Sequence, residues 1–566
     1  QETAAFVKSY TAEGAKVEYR VAQIADLQRL VEQFAQAALR ARQAGFDGVE
    51  IHAGHGYILS EFLSPHVNCR QDEYGGSLEN RARLLQEVIR GVKLRVGSDY
   101  PVWCRIDATE LRIEGGISYA DAVATAMLAE QAGADAIHVS AYANPASGAA
   151  FTEAPLVHQP AGYLGYAQGI KQKLSIPVIA VGRIEPEEGD AAIASGKADF
   201  VAMGRKLLAD PDLPTRLRQG RPQDIRPCIY CYTCVSRIFV NDHVRCAVNP
   251  ATGFEYETVV SPAEKPRKLL VVGGGPAGME AARIAAQRGH QVRLAEQGRS
   301  LGGTAFFASV VYPENGRLVD YLKQQIAGSS VELDLGVTVD ESYLDSFRPD
   351  AVIVATGARR DAPDIPGVDQ DNVFSGDEMR GLMTGHGAES ARSKLAFWQR
   401  WALSLAGSLG ITRNAALLAR LSHVWMPLGK QVCIVGGGLV GAELAEFLAL
   451  RGRKVSLIEE SGKFAVELPL VRRWRLLEEL KQLSVVMINH TRLLRVSGRQ
   501  LAIDCQGSEV EIEADTVILA SGACGDLSLA ERAREMGYET HVAGDCDGVG
   551  YLEGAMRSAH QVATAL

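Results

Sequence analysis

The 566-residue sequence has no apolar run that approaches the roughly 20 residues needed to cross a bilayer as a helix. It also has no excess of positive charge, because 59 Lys and Arg stand against 68 Asp and Glu and give a net charge of −9. A nucleic-acid-binding protein would present a basic stripe instead. These absences predict a cytoplasmic protein without a transmembrane segment or a nucleic-acid partner, and the length suggests about three or four domains.

Cysteine is sparse except in one segment. Four of the ten cysteines follow the spacing C-x2-C-x2-C-x11-C, at Cys228, Cys231, Cys234 and Cys246. In a reducing compartment such a set is expected to bind a metal centre rather than to form disulfides. A compact triplet plus one distant cysteine is typical of a 4Fe–4S cluster, whereas a structural zinc site, the alternative, more often uses two separated C-x2-C pairs.

Short apolar segments alternate with amphipathic helical patterns in the first part of the chain. The first helix is predicted to begin at Ile24 and to end at Gly45. The alternation predicts a parallel sheet, most simply a (β/α)8 barrel. Only five strand–helix units are visible, so we expect the polypeptide to begin upstream with the remaining barrel strands. The predicted strands are 48–52, 102–106, 136–139, 178–181 and 200–203.

Barrel enzymes carry their chemistry at the carboxyl ends of the strands. One such end holds His52, His55 and Tyr57, which are two imidazoles able to donate to one oxygen and a phenol able to supply a proton. A structural or metal-binding histidine pair is the alternative. The other strand ends carry residues suited to a flavin ring and a phosphate, namely Arg105, Gly182, Arg183, Gly204 and Arg205.

The second half of the chain contains two glycine-rich turns, each between a strand and a helix. Such glycines admit a pyrophosphate to the helix N-terminus, and an acid about 20 residues downstream binds a ribose hydroxyl. In the second turn this acid is Glu459, which favours NADH, although Arg453 and Lys454 leave NADPH open. The predicted binding residues are Gly273, Gly275, Pro276, Ala277, Gly278 and Glu296 in the first unit, and Gly436, Gly438, Gly441 and Glu459 in the second.

A segment at 376–428 separates the two units and is longer than such a connection needs. It holds three of the five tryptophans of the chain, and helices are predicted at 395–401 and 415–425. Exposed, such a surface would indicate a partner, a substrate lid or a membrane face. The alternative is an ordinary helical insertion packed on the nucleotide-binding domains. Its arginines and short apolar stretches argue against a spanning helix.

Two long motifs resemble the old yellow enzyme family: Gly45-Phe-Asp-Gly-Val-Glu-Ile-His-Ala-Gly-His-Gly-Tyr57, and Asp72-Glu-Tyr-Gly-Gly-Ser-Leu-Glu-Asn-Arg81. With the four cysteines and the two glycine turns, the chain resembles the longer branch that includes 2,4-dienoyl-CoA reductase, enoate reductase and trimethylamine dehydrogenase. The resemblance implies FMN in the barrel, with Arg105 at its ring. The implied phosphate ligands are Gly182, Arg183, Gly204 and Arg205.

The resemblance also implies roles for the remaining residues. His52 and His55 would hold a substrate carbonyl, and Tyr57 would donate a proton. FAD, or ADP alone as in trimethylamine dehydrogenase, would occupy the first dinucleotide unit with Gly303 and Asp545 as further contacts. NADH would occupy the second unit.

The function that follows from the resemblance is an NADH-dependent ene-reductase. It would reduce the activated C=C bond of an unsaturated carbonyl or enoyl thioester, with electrons passing from NADH through FAD, the 4Fe–4S cluster and FMN. The alternative is an oxidative dehydrogenase like trimethylamine dehydrogenase that passes electrons to a protein acceptor. Trimethylamine dehydrogenase has Tyr and Trp where this chain has His52 and Ile238, which argues against amine oxidation. Dienoyl-CoA reductase has a histidine in the loop after 136–139 that this chain lacks, which argues against a dienoyl-CoA substrate.

We divide the chain accordingly and expect a homo-oligomer. The predicted domains are the C-terminal part of the FMN barrel at 1–225, the cluster segment and linker at 226–265, the first part of the FAD-binding domain at 266–375, the helical insertion at 376–428, the NAD(H)-binding domain at 429–523 and the second part of the FAD-binding domain at 524–566.

Overall fold

A computed structural model describes residues 20–143, 159–360, 363–384, 393–408 and 411–566. The chain forms two compact units, Gln1–Gly204 and Arg205–Leu566, and each contains hydrophobic core of its own. Part of the loop in which we noted the lack of a histidine, residues 144–148, lies outside the described residues.

The first unit is built on a sheet of five parallel strands that follow one another in chain order. All five predicted strands are present. The second and third extend beyond their predicted ends, so Arg105, which we expected at a strand end, lies within the second strand. The strands are β1 (Val49–Ala53), β2 (Val102–Leu111), β3 (Ala136–Ala143), β4 (Val178–Ala180) and β5 (Phe200–Val201).

Helices follow these strands as expected for a βα-repeat. The helix at the start of the described chain ends at Gln43, and Gly45 has a φ of +85°, so the predicted stop is confirmed. It packs on the third helix, where Gly91 makes room for Val31, since an added Cβ would lie 2.9 Å from Val31 Cγ1. The helices are α1 (Ile24–Gln43), α2 (Ile58–Leu63), α3 (Leu78–Val96), α4 (Tyr119–Gln131), α5 (Leu164–Lys171) and α6 (Pro186–Ala194).

The second unit contains two parallel nucleotide-binding sheets, one three-stranded antiparallel sheet and one short two-stranded pair. Its strands are β6 (Lys268–Val272), β7 (Gln291–Glu296), β8 (Glu332–Leu335), β9 (Ala351–Val354), β10 (Arg359–Arg360), β11 (Val373–Ser375), β12 (Gln431–Val435), β13 (Lys454–Ile458), β14 (Val486–Ile488), β15 (Thr491–Ser497), β16 (Gln500–Cys505), β17 (Ser508–Glu513), β18 (Thr516–Leu519), β19 (Ala523–Cys524) and β20 (Glu539–Val542).

The two parallel sheets interleave along the chain. The first has the order β20-β9-β6-β7-β8, so a late strand returns to complete it, and the second has the order β11-β18-β12-β13-β14. Strand β11 therefore belongs to the second sheet, although it lies inside the segment 266–375 that we assigned to the first. An insertion of one nucleotide-binding domain into another explains this order. The chain leaves the first sheet after β9, forms the second sheet, and returns to the first sheet at β20.

The helices of the second unit complete these layers and form the insertion. In the insertion, the predicted helices at 395–401 and 415–425 are observed with shifted bounds, as α15 and α16. The helices are α7 (Gly204–Ala209), α8 (Leu213–Arg218), α9 (Thr233–Ser236), α10 (Pro276–Gln287), α11 (Gly303–Val311), α12 (Pro313–Ala327), α13 (Glu341–Phe347), α14 (Gly376–Thr384), α15 (Phe397–Ser408), α16 (Ala415–Val424), α17 (Leu439–Ala449), α18 (Leu470–Gln482), α19 (Ser528–Glu535) and α20 (Tyr551–Ala565). In the part of the chain that the structure describes, no helix has the length and hydropathy required to cross a membrane.

Candidate functional site

Three predicted catalytic side chains meet at the end of β1. The ring centroids of His52 and His55 lie 4.7 Å apart, and those of His52 and Tyr57 lie 5.3 Å apart. The chain makes this turn with His55 at a φ of +68° and Gly56 at +71°, and Tyr57 then precedes α2. A non-glycine residue in the left-handed region is uncommon and often marks a functional turn. The structure therefore brings the three residues together.

A buried carboxylate holds this turn in place. Asp107 Oδ2 accepts a 2.6 Å hydrogen bond from the His55 backbone N–H, and Asp107 Oδ1 lies 3.5 Å from His55 Nε2. Ser140 Oγ lies 2.8 Å from the same Nε2. Burial raises the pKa of Asp107 to about 7. Our sequence-based site omitted Asp107, because β2 also carries Arg105 and Glu110 and nothing in the local pattern distinguishes Asp107 from these other charged residues.

The imidazoles are held in the neutral form. Burial, followed by the positive charge of Arg105, lowers the pKa of both His52 and His55. Because β1 and β2 are parallel neighbours, His52 lies directly opposite Arg105. A neutral imidazole offers one N–H donor and one acceptor. Since His55 Nε2 already has a protein partner, its Nδ1 is the nitrogen left for a ligand.

Arg105 has a buried polar atom that a ligand could satisfy. Its Nη2 lies 3.3 Å from Ser140 Oγ, but its buried Nε has no hydrogen-bond partner among the described residues. A buried guanidinium N–H without an acceptor is costly, and an anionic or carbonyl edge of a ligand would satisfy it. The residues at this position therefore fit the FMN expected from the sequence.

The predicted phosphate residues of the first unit follow two neighbouring strands, β4 and β5. Gly182 has a φ of +115°, and an added Cβ would lie 2.8 Å from the ring of Tyr163, so glycine is required there. Arg183 follows with a φ of +53° and is buried. An added Cβ at Gly204 would meet no atom within 4 Å, so open space lies in front of this backbone. These features fit an oxyanion.

Arg205, the fifth residue predicted for the flavin, belongs to the second unit. Its guanidinium carbon lies 5.4 Å from the ring centroid of Tyr230 and 5.0 Å from that of Tyr232. It also lines the cavity formed by the four predicted metal ligands. The structure therefore associates Arg205 with the cysteine segment, and a contact with the flavin phosphate stays a prediction.

The four cysteines, Cys228, Cys231, Cys234 and Cys246, line one cavity as free thiols. Four thiols around one cavity fit the cubane cluster expected from the spacing, in which each cysteine would bind its own iron. Burial raises the pKa of Cys231, Cys234 and Cys246, and bound iron would offset that cost by stabilising the thiolates.

The backbone between the first three cysteines is tightly turned. Tyr230 and Tyr232 both adopt left-handed conformations, with φ values of +53° and +71°. The Tyr230 backbone N–H donates to Cys228 Sγ at 3.4 Å. Such N–H···S bonds are one means by which a protein adjusts the potential of a bound cluster.

The first dinucleotide turn has the close approach that its glycines predict. An added Cβ at Gly278 would lie 1.8 Å from the Gly273 carbonyl oxygen. Gly275 immediately precedes α10, Pro276 and Ala277 are its first residues, and a Cβ at Gly303 would lie 2.9 Å from Gly275 Cα. The backbone of this turn is thus left bare for a pyrophosphate at the helix N-terminus.

Two carboxylates border this first turn. Glu296 accepts from the backbone N–H groups of Gly274 and Gly298, each at 2.6 Å. Asp545 Oδ1 accepts from the Gly550 N–H at 2.9 Å, and burial raises the pKa of Asp545. Both side chains therefore shape backbone that would contact the nucleotide, in addition to any bond they make to its sugar or ribityl hydroxyls.

The second dinucleotide turn repeats this geometry. An added Cβ at Gly441 would lie 1.9 Å from the Gly436 carbonyl oxygen, and Gly438 immediately precedes α17. Glu459 accepts from the N–H groups of Gly437 at 2.6 Å and Ser461 at 2.8 Å. The matching carboxylate-to-glycine bonds show that the two turns are built on one plan.

The second turn differs from the first by a carboxylate bonded at the N-terminus of its helix. Glu467 Oε2 accepts from the Leu439 backbone N–H at 2.9 Å, at the N-terminus of α17. This is the place where a dinucleotide pyrophosphate is expected to bind. Sequence reasoning missed Glu467 because it lies 28 residues from Leu439, outside the glycine motif.

Comparisons with known proteins agree with this architecture. Residues 4–224 match the NADH:flavin oxidoreductase / NADH oxidase family model, and residues 267–547 match the pyridine nucleotide-disulphide oxidoreductase model. An NADH oxidase of Thermoanaerobacter brockii is 35% identical over 554 residues, which cover 95% of this chain and 78% of that protein. The chain belongs to the NADH:flavin oxidoreductase / NADH oxidase family. It is therefore a flavin-dependent oxidoreductase that acts with NAD(P)H, and the barrel and Rossmann-type fold classes are confirmed.

Relatives of this oxidoreductase include proteins named as reductases of unsaturated compounds. A cinnamate reductase of Clostridium sporogenes is 32% identical over 561 residues, which cover 95% of this chain and 77% of that protein. The solved structure of a 2-naphthoyl-CoA reductase in complex with 2-naphthoyl-CoA superposes with a TM-score of 0.85 at 28% identity, over 98% of this chain and 79% of that one. The resemblance to the dienoyl-CoA reductase branch is thus confirmed.

Proposed function

We propose that this oxidoreductase is an NADH-dependent ene-reductase acting on the C=C bond of an α,β-unsaturated carbonyl or enoyl thioester. The observation that carries the proposal is the cluster of His52, His55 and Tyr57 at the end of β1, opposite Arg105. Relatives named for the reduction of cinnamate and of 2-naphthoyl-CoA support this substrate class.

The two histidines would bind the substrate carbonyl. Each neutral imidazole donates one N–H, and two donors on one oxygen stabilise the negative charge that develops there during reduction. In oxyanion holes, one such donor contributes about 10²–10³ in rate. Asp107 accepts from the His55 backbone N–H and Ser140 Oγ contacts the His55 ring at Nε2, so the ring is oriented before the substrate arrives.

Tyr57 would supply the proton to the α-carbon. Its side chain is 63% exposed, so the phenol can reach both a ligand and solvent. His52 and His55 lie on the side of Tyr57 where the carbonyl would be held, which directs the proton to the neighbouring carbon. General acid catalysis of this kind contributes about 10²–10⁴ in rate.

The proposed cofactors are FMN in the first unit and, in the second, a 4Fe–4S cluster on the four cysteines, FAD at the first dinucleotide turn and NADH at the second. When bound, they would supply reducing equivalents from NADH through FAD and the cluster to FMN, and a hydride from FMN to the β-carbon. The chain's own residues bind and orient these groups. Glu459 supports NADH over NADPH because a carboxylate repels a 2′-phosphate. Homo-oligomer formation is proposed from the family resemblance.

Tyr57→Phe tests the proposal. We expect kcat for reduction of an enone or a cinnamoyl substrate to fall about 10²–10⁴-fold, while NADH still bleaches the flavin absorbance at the wild-type rate in anaerobic stopped-flow. Tyr256→Phe, which changes another exposed phenol, is the matched control and should retain full activity. Enone reduction at the wild-type rate by Tyr57→Phe would refute the assignment. Flavin bleaching by an amine without NADH would favour the oxidative dehydrogenase.

A further inference from the structure

The helical insertion presents an exposed apolar patch that the proposed chemistry does not use. On α15, its residues Phe397, Trp398, Trp401 and Leu405 recur at helical spacing and so share one face. Phe397 is 83% exposed and Trp401 is 64% exposed. The end of α16 adds Val424 and Trp425, because the Trp398 and Trp425 rings lie 5.6 Å apart. We name these six residues the tryptophan patch.

The segment around the tryptophan patch has a charge opposite to that of the whole chain. Residues 390–442 contain six Lys and Arg and no Asp or Glu, although the chain has a net charge of −9; one of the six, Lys394, is paired with Glu378 at 2.9 Å. Arg400, Arg420 and Lys430 are exposed. A basic surface of this kind attracts an anionic partner, and two copies of it repel each other.

From this combination we propose that the tryptophan patch docks the protein on the surface of an anionic lipid bilayer. Tryptophan and phenylalanine partition to the headgroup level, and nearby Lys and Arg add attraction to anionic lipids. Helix α15 has 12 residues, about 18 Å, which is too short to span the hydrocarbon core. Helix α15 would therefore lie along the bilayer surface, at the level of the lipid headgroups. The inference does not depend on the proposed substrate.

Vesicle flotation with the full-length holoenzyme tests the proposal. Vesicles of 3:1 phosphatidylcholine and phosphatidylglycerol should bind at least about tenfold more protein than phosphatidylcholine vesicles at low salt. Raising NaCl to about 0.5 M should reduce binding, because salt screens the attraction. Equal binding to both vesicle types, or no binding to either, would overturn the proposal.

Two sets of variants identify the surface. Trp398→Ser with Trp401→Ser should reduce binding to anionic vesicles at least about tenfold. The matched control, Phe46→Ser with Tyr256→Ser, also removes two exposed aromatic side chains but leaves the patch intact, and should bind like wild type.

Arg420→Glu with Lys430→Glu keeps all six apolar residues and should reduce binding at least about fivefold. Arg400 is left in place because it donates to the Leu395 and Ser393 carbonyl oxygens, each at 2.8 Å. Flavin content and light scattering of each variant complete the test. Wild-type binding to anionic vesicles by both the double tryptophan variant and the Arg420→Glu, Lys430→Glu variant would overturn the proposal. So would a change of mass in solution without vesicle binding, which would make the patch an interface between copies of the chain.

Discussion

Single carboxylates distinguish the two dinucleotide turns at the scale of the residue. Glu296 and Glu459 make equivalent bonds to Gly274 and Gly437, and therefore hold the backbone of both turns in the same way. Glu467 accepts from the Leu439 N–H at the start of α17, whereas the equivalent residue of α10 is Pro276, which has no N–H to donate. A helix N-terminus stabilises an anion. A bound pyrophosphate would therefore either displace the Glu467 carboxylate from the start of α17 or bind beside it.

Glu467→Gln should therefore strengthen nucleotide binding. Loss of the negative charge removes repulsion from the pyrophosphate, while the amide oxygen can still accept from Leu439 N–H. We expect the Kd for NADH, measured by quenching or calorimetry, to fall about 3–10-fold, which corresponds to about 1 kcal/mol. Glu511→Gln on β17 makes the same charge change away from the turn and should leave the Kd unchanged. Weaker NADH binding by Glu467→Gln would contradict this prediction.

At the scale of the element, the two helices α10 and α17 depend on glycine for their close approach to a turn. A Cβ added to Gly278 of α10 would lie 1.8 Å from the Gly273 carbonyl oxygen. A Cβ added to Gly441 of α17 would lie 1.9 Å from the Gly436 carbonyl oxygen. Backbone must shift to admit a methyl group at either place. The helix start and the nucleotide site would move together, because the same turn forms both.

Gly441→Ala should therefore lower both stability and NADH affinity. Overpacking of this kind costs about 1–3 kcal/mol, which lowers the melting temperature of a domain of about 150–250 residues by roughly 2–12 °C. Gly554→Ala in α20 is the control, since its added Cβ meets no atom within 4 Å. That change should leave the melting temperature equal or higher, because alanine favours the helix. Similar melting curves for both variants would show that the close approach is tolerated.

At the scale of the whole molecule, the proposed function makes the cysteine segment the route between nicotinamide and substrate. The four cysteines belong to the same unit as both dinucleotide turns, and Arg205 lies on the same cavity. Activities that need only the nucleotide-binding part should therefore separate from activities that need the whole chain.

Cys231→Ala tests this separation. We expect lower iron content and at least a hundredfold slower NADH-driven enone reduction, while NADH oxidation by an artificial acceptor such as ferricyanide is largely retained. Cys69→Ala replaces an exposed thiol outside the segment and should retain both activities. If Cys231→Ala keeps NADH-driven enone reduction, the cysteines are not on the electron route.

Local patterns in the sequence determined the strands of the first unit and the elements around both glycine turns, but not the antiparallel sheet β15–β17. Alternating and helical periodicities depend on neighbouring residues, so β1–β5, α1 and the strands and helices around both glycine turns were predictable. Their bounds shifted by a few residues, as for β5 and α15, because helix and strand ends depend on packing. The cysteine spacing likewise indicated one metal centre before any coordinates, and all four cysteines line one cavity.

Only the tertiary structure decided which distant side chains act together. Asp107 reaches the His55 backbone across 52 residues, and Glu467 reaches Leu439 across 28. Arg205 faces Tyr230 and Tyr232. No periodicity encodes such pairs, because they arise where separate elements pack and a buried polar group must find a partner. The sequence thus determined the elements and the chemistry available to them, and packing decided which groups meet.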